Sequence, residues 1–199
     1  MSPLTLYGAA ATLFLIMDPF GNIATFLSVL ASVPQRRRKK IIIREMLIAL
    51  VILMLFLFFG KYILEGMQIT EPALSISGGT ILFLIAVKMI FPTGGGGDRQ
   101  QPESEPIVVP LAVPLVAGPS AMAMVILFST QAPEKILLWL LALLIAWSLS
   151  ALILISAETL SKLLGPRAIK AIERLMGMIL TTMAIQMLLS GIASFVSSL

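Results

Sequence analysis

The chain has 199 residues, of which 58% are hydrophobic and 12% charged, with a net charge of +4 and a mean hydropathy of +1.03. Soluble globular domains do not reach such values, so lipid is the expected solvent for most of the chain. Cysteine and histidine are absent, which excludes disulfides, thiolate or imidazole metal sites, a Ser-His-Asp triad and a histidine proton relay.

Six apolar segments are long enough to cross a bilayer, which takes about 20 residues per helix. The N-terminus lacks the basic region of a cleavable signal, so the first segment is expected to stay in the mature protein. Proline interrupts the first and fourth segments, and both are expected to be broken helices. The six segments cover residues 4–33, 41–63, 72–91, 107–130, 136–157 and 175–196.

Residues 92–106 form the one extended polar stretch, and they include the glycine run 94–97. This composition is typical of a flexible linker. We therefore predict a single membrane domain over residues 1–199. It comprises a first repeat at 1–93, a cytoplasmic linker at 94–105 and a second repeat at 106–199.

Lysine and arginine mark one side of the expected bundle. The connections after the first, third and fifth segments, with the adjoining helix ends, carry twelve of the fourteen basic residues. By the positive-inside rule this side faces the cytoplasm, so both termini are expected in the periplasm. The basic run 36–40 could also suit nucleic acid or anionic lipid, but a topology anchor explains it, and no nucleic-acid partner is expected.

The two halves resemble each other weakly at an offset near one hundred residues. Asp18-Pro19 aligns with Gly118-Pro119, and residues 79–82 and 86–89 align with 177–180 and 184–187. Chance similarity between apolar segments is the alternative explanation. Because each half crosses the membrane three times, the second half would be inverted. The predicted fold is all-α, with six transmembrane helices as two inverted three-helix repeats and broken helices one and four, a plan common among secondary transporters.

The chemistry is expected at the two breaks, which survive in lipid only if they are buried in protein or face a water-filled cavity. Asp18 is a typical N-cap and Pro19 suits the first position of a new half-helix. Pro119 is expected to start a second half-helix, with Gly118 supplying a permissive turn. Two half-helix N-termini meeting near the midplane would suit a carboxylate or another anion.

An ionisable group at the depth of Asp18 costs several kcal/mol unless it is paired, capped or hydrated. Capping of the half-helix alone would explain an aspartate at this position, and so would contact with a solute or proton. The sequence does not decide between these two roles. A zwitterion would fit, with its carboxylate at a half-helix terminus and its ammonium near Asp18. The predicted substrate-binding residues are Asp18, Pro19, Gly21, Asn22, Gly118, Pro119 and Ser120.

Other polar residues have simpler explanations. Glu158 lies one turn before Lys162, so a local ion pair is expected. Glu45 follows the basic run, and an interfacial ion pair is expected there. Small residues at 75–79 and at Gly177 are expected to allow close helix packing.

Three motifs together resemble the signatures of the MarC family, closest to its YhgN-like branch, and the similarity covers essentially the whole chain. The resemblance implies a six-helix bacterial inner-membrane protein, grouped with exporters of amino acids and metals. One member of that family carries small neutral amino acids such as alanine and glycine. The motifs are Met17-Asp18-Pro19-Phe20-Gly21-Asn22, Ile76-Ser77-Gly78-Gly79 followed by Ile90-Phe91-Pro92, and residues 110–119.

We therefore expect a multi-pass secondary transporter of small zwitterionic solutes, with small neutral amino acids as the first candidates. Proton coupling and homo-oligomerisation stay open. A channel or a non-transporting membrane scaffold is the alternative, because broken helices also line channels. No enzyme activity, cofactor or metal is expected, since the chain has no His-Glu-x-x-His motif and no histidine to activate a serine.

Overall fold

The computed structural model describes residues 5–30, 33–91 and 116–197, and within these ranges the chain forms helices and no strand. The predicted linker at 94–105 lies outside the described residues. In chain order the described helices, α1 to α7, are Leu6–Met17, Pro19–Val29, Gln35–Met67, Glu71–Ile90, Pro119–Gln131, Ile136–Ile155 and Ala157–Ser197.

Five stretches of the described residues are long and apolar enough to cross a membrane. They lie in α1 with the start of α2, in α3, in α4, in α6 with the preceding 3₁₀ turn Pro133–Lys135, and in α7. They match the predicted segments one, two, three, five and six. The fourth segment, 107–130, is described only from residue 116 onward. The all-helical membrane class is confirmed by these helices.

Two helices are longer than predicted. α3 begins at Gln35, directly after Pro34, so the basic run predicted as a connection forms its first turns. Arginine and lysine are good helix formers, and an apolar segment follows them without a break. α7 has 41 residues, and Gly165 interrupts it with φ 75° and ψ 166°, a conformation that favours glycine. The membrane-spanning part of α7 is Arg167–Ser197.

The helices pack around α5, which is buried on nearly every side. α5 contacts α3 and α4, α1 packs along α6, and α3 also contacts α6. At the C-terminal end of α5, the Phe128 ring stacks on Trp139 with centroids 5.1 Å apart. Residues 120–129 are almost all buried, and α5 is apolar all round. This helix therefore lies in the interior of the bundle rather than against lipid.

α4 and α7 form the most extensive helix pair, and their contacts are reciprocal. A methyl group on Gly79 would lie 3.0 Å from the carbonyl oxygen of Ala184, and one on Gly177 would lie 3.0 Å from the carbonyl oxygen of Ala86. The predicted close packing at these small residues is confirmed. Three matched pairs, each 98 positions apart in the sequence, share these contacts: Gly79 and Gly177, Ala86 and Ala184, and Met89 and Met187.

Candidate functional site

The first helix break lies at Asp18, which ends α1. Its backbone is left-handed, with φ 43° and ψ 61°, and its N–H donates to the carbonyl oxygens of Phe14 at 3.2 Å and Leu15 at 3.1 Å. Aspartate is one of the few non-glycine residues that visits this region readily. Asp18 therefore closes the last turn of α1 and turns the chain into α2.

The same residue caps the start of α2. Its Oδ1 accepts a hydrogen bond from the N–H of Gly21 at 3.1 Å, and Pro19 is the first residue of the helix. Proline suits this position because the first N–H groups of a helix have no partner within the helix. Asp18 and Pro19 are both buried, Asp18 with 7% of its surface exposed. The predicted half-helix start at Asp18-Pro19 is confirmed.

Gly21 is small because the Asp18 carboxylate lies over the first turn of α2. A methyl group on Gly21 would lie 2.1 Å from Oδ2 of Asp18 and 2.5 Å from Cε of Met89, near the end of α4. A side chain at this position would therefore displace both the Asp18 carboxylate and the end of Met89. The first turn of α2, the carboxylate and α4 meet at this point.

Asn22 completes the break by satisfying a carbonyl group. Its side-chain amide donates to the carbonyl oxygen of Met17 at 3.0 Å, and its backbone N–H donates to the carbonyl oxygen of Asp18 at 3.1 Å. Pro19 has no N–H, so the break leaves α1 short of donors at its C-terminal end. In this conformation Asn22 supplies one of the missing donors.

The second predicted break is described only from residue 116 onward, and its geometry differs from that at Asp18. Gly118, just before Pro119, has φ −71° and ψ 167°, an extended conformation open to any residue. The expectation that glycine supplies a special turn here is wrong. Pro119 starts α5 as predicted but is exposed, whereas Pro19 is buried. Ser120 is buried, and its hydroxyl donates to the carbonyl oxygen of Gly78 in α4 at 3.3 Å.

The seven predicted site residues thus form two groups, and both reach α4. Gly21 lies against Met89, whereas Ser120 bonds to Gly78, eleven residues earlier on the same helix. At 1.5 Å per residue, these contact positions are about 16 Å apart along α4. The first group is Asp18, Pro19, Gly21 and Asn22, and the second is Gly118, Pro119 and Ser120.

Glu173 in α7 is an acidic neighbour of Asp18 that sequence analysis did not identify. Its charge acts on Asp18 electrostatically. One turn before it, Ile169 packs with Ile23 of α2, and one turn after it Gly177 packs against Met89. Its position between these contacts places Glu173 on the face of α7 that meets α2 and α4. No local signal indicates this proximity, because it depends on how the two halves pack.

The ion pairs differ from those predicted. Glu158 pairs with Arg38 of α3, with 2.5 Å between Oε1 and Nη1, rather than with Lys162. Glu45 does form an ion pair, with 2.8 Å between its Oε1 and Nη2 of Arg44. Its side chain is fully buried, however, with 1% exposed, so it points into the bundle and not to the interface.

Two of the cavities that the described residues line lie at opposite ends of the bundle. We call the end with the basic first turns of α3 and the start of α7 the basic end, and the other the far end. At the basic end a cavity of about 20 Å³ is enclosed by α2, α3, the end of α6 and the start of α7. At the far end a cavity of about 430 Å³ is lined by the end of α3, the start of α4 and Thr130 of α5. Among the described residues, no group of three or more acidic side chains could hold a metal ion.

These features define a polytopic α-helical membrane protein with a buried carboxylate at a break in one of its spans. The chain belongs to the MarC family of integral membrane proteins, which it matches over residues 4–196.

It is 48% identical over 185 residues to the "UPF0056 inner membrane protein YhgN" of Escherichia coli strain K12, covering 92% of this chain and 94% of that protein. A "UPF0056 membrane protein" of Buchnera aphidicola subsp. Baizongia pistaciae is 49% identical over 186 residues, with the same coverage. One from Methanocaldococcus jannaschii is 33% identical over 193 residues, also covering 92% of this chain and 94% of its own. No solved structure matches the chain.

Proposed function

We propose that this chain is a secondary transporter of small zwitterionic solutes, with small neutral amino acids as the first candidates. One observation carries the proposal: a buried carboxylate, Asp18, stands at a helix break inside a membrane-spanning stretch. Ionisable residues within spans are costly and usually belong to substrate or ion pathways. The proposal includes no catalytic step and no cofactor.

The charge of Asp18 exceeds what its structural role needs. The cap on Gly21 requires one acceptor oxygen, and asparagine caps helices about as well as aspartate. Asparagine also tolerates the left-handed backbone and would avoid placing a charge in the membrane. A cationic partner for the second carboxylate oxygen accounts for the aspartate.

A zwitterion suits the first group of site residues. Its ammonium would pair with Asp18, with Glu173 nearby, and its carboxylate would bind free N–H groups at the N-terminus of α2. The binding residues in this proposal are therefore Asp18, Pro19, Gly21 and Asn22. The group of Gly118, Pro119 and Ser120 reaches α4 about 16 Å away, beyond the reach of the same small solute in this conformation. Protons are the proposed coupling ion, because in a chain without histidine a proton site falls to carboxylates.

Two inverted three-helix halves would move around this site by alternating access. The reciprocal contacts of α4 and α7 support the inversion, because an axis that exchanges the halves must map Gly79 onto Gly177 and Ala86 onto Ala184. In this arrangement residues 107–130 form the fourth of six spans, broken before Pro119. The basic end faces the cytoplasm, and both termini lie in the periplasm.

Flux through reconstituted protein tests the proposal. Purified protein in liposomes is assayed for radiolabelled alanine and glycine uptake with and without a pH gradient. We expect saturable uptake that responds to the gradient and is lost in Asp18→Asn, a change that keeps the cap and removes the charge. Glu134→Gln, which removes an exposed acid at the far end outside the cavity lining, is the control and should transport like the parent.

The alternatives predict different results. Uptake that rises linearly with concentration and ignores the gradient would indicate a channel. Folded protein without flux for either amino acid would contradict the amino-acid assignment and favour a scaffold. Unchanged flux in Asp18→Asn would show that Asp18 only caps α2.

A further inference from the structure

The two ends of the bundle differ in the space that the described residues leave. The cavity of about 20 Å³ at the basic end has room for about one water molecule. The far-end cavity, about 430 Å³, falls within the size range of small-molecule sites. Within the described part of the chain, the space beside α2 at the basic end is therefore too small for a solute, while the far end has space for one.

Apolar side chains from both halves make this closure. Phe26 and Leu30 follow the Asp18 break along the first half, and Ile155 and Ala157 come from the second half. Phe26, Leu30 and Ala157 are each at most 3% exposed. These side chains leave room for no more than about one water molecule between α2 and the junction of α6 and α7.

An ion pair between the halves lies over this apolar contact. Nη1 of Arg38 is 2.5 Å from Oε1 of Glu158, and Nε of Arg38 donates to the carbonyl oxygen of Val33 at 2.8 Å. The second bond fixes the guanidinium to the turn between α2 and α3. The pair thus joins the connection of one half to the first turn of α7 in the other.

We propose that the Arg38–Glu158 ion pair is a latch that holds the basic end closed, and that the conformation described is the one closed at this end. The inference rests on the proposed alternating access, in which the halves separate at each end in turn. A contact that joins the halves at the basic end must break whenever that end opens.

The partial exposure of the pair fits a latch that opens and recloses. The two side chains are 20% and 32% exposed, so water can solvate each charge after separation. A fully buried pair would leave two unsolvated charges on opening, and a fully exposed pair would add little to closure. Arg38–Glu158 lies between these limits.

Thiol labelling tests the latch without requiring transport. The chain has no cysteine, so Leu27→Cys, in the wall of the basic-end cavity, introduces a single reporter thiol. Protein in lipid nanodiscs is treated with a hydrophilic, membrane-impermeant maleimide. Adding Arg38→Gln or Glu158→Gln should raise the labelling rate about tenfold, which corresponds to a shift of about 1.4 kcal/mol in the open–closed equilibrium.

Two comparisons separate a latch from other effects. The two glutamine variants change the local charge in opposite directions, so a common rise cannot come from attraction of the reagent. The swapped pair Arg38→Glu with Glu158→Arg should return the rate to that of the parent. Glu134→Gln, which removes an exposed charge at the far end outside the cavity lining, should leave it unchanged.

An unchanged rate in both glutamine variants, or a swapped pair that labels as fast as they do, would overturn the latch. Thr130→Cys, in the wall of the far-end cavity, tests the proposed function separately. Because opening one end closes the other, a variant that labels at its maximal rate at position 27 should label slowly at position 130. Maximal labelling at position 27 with unchanged labelling at position 130 would support the latch and contradict alternating access.

Discussion

Replacement of Gly21 by alanine tests the position of the Asp18 carboxylate. The new methyl group would lie 2.1 Å from Oδ2 of Asp18, so the carboxylate must rotate away and release the N–H of residue 21. Loss of an N-cap costs about 1 kcal/mol. Displacement of the Met89 methyl, 2.5 Å away, adds up to about 1 kcal/mol, because the end of a methionine side chain moves easily. Alanine regains about 1 kcal/mol of helix propensity, so Gly21→Ala should destabilise the protein by up to about 1 kcal/mol and should not stabilise it.

Gly66→Ala is the matched control. Gly66 also lies in a helix, but nothing lies within 4 Å of the position a methyl group would take. This variant should gain up to about 1 kcal/mol from propensity alone. Both free energies of unfolding can be measured by titration with sodium dodecyl sulfate in mixed micelles. If Gly21→Ala is stabilised like Gly66→Ala, the carboxylate does not lie over the first turn of α2.

Three further changes test other contacts by the same titration. Gly79→Ala and Gly177→Ala should each destabilise the protein by about 1 to 3 kcal/mol, because the contacts of the two glycines are equivalent. Clearly unequal losses of stability would argue against an internal axis. Trp147→Phe should cost about 1 kcal/mol through loss of its 2.7 Å hydrogen bond to the Met46 carbonyl, and no loss would show that water replaces it. Asn22→Ala should cost about 1 to 3 kcal/mol by leaving the last carbonyl of α1 without this donor, unless the helix end relaxes and stability is kept.

The features that sequence analysis identified correctly depend on neighbouring residues. The half-helix start at Asp18-Pro19 follows from a cap that spans three residues, and it is seen as predicted. The apolar spans follow from hydropathy, which needs no tertiary contact. The small residues Gly79 and Gly177 also gave a usable signal, because close packing is their ordinary role in membrane helices.

The features that it missed depend on packing between distant parts of the chain. Glu158 had a plausible partner in Lys162, one turn away, yet the tertiary fold brings Arg38 to it from 120 residues away. Glu45 is buried because it lies on the side of α3 that faces the bundle. Hydropathy does not reveal which side of a helix faces the bundle. At Gly118 a local pattern was misleading. The Gly-Pro sequence indicated a special turn, but the backbone of Gly118 is extended and open to any residue.

Asp18 ends one helix and starts the next with a single backbone conformation and a single side-chain oxygen. Few residues can do both, because the left-handed backbone favours Gly, Asn and Asp, and these also belong to the preferred N-caps. Within this short set the side chain is absent, neutral or negative. A substitution among them would keep the helix break and alter only the charge offered to a solute. At position 18 the helix break and the charge presented to a solute can therefore evolve independently.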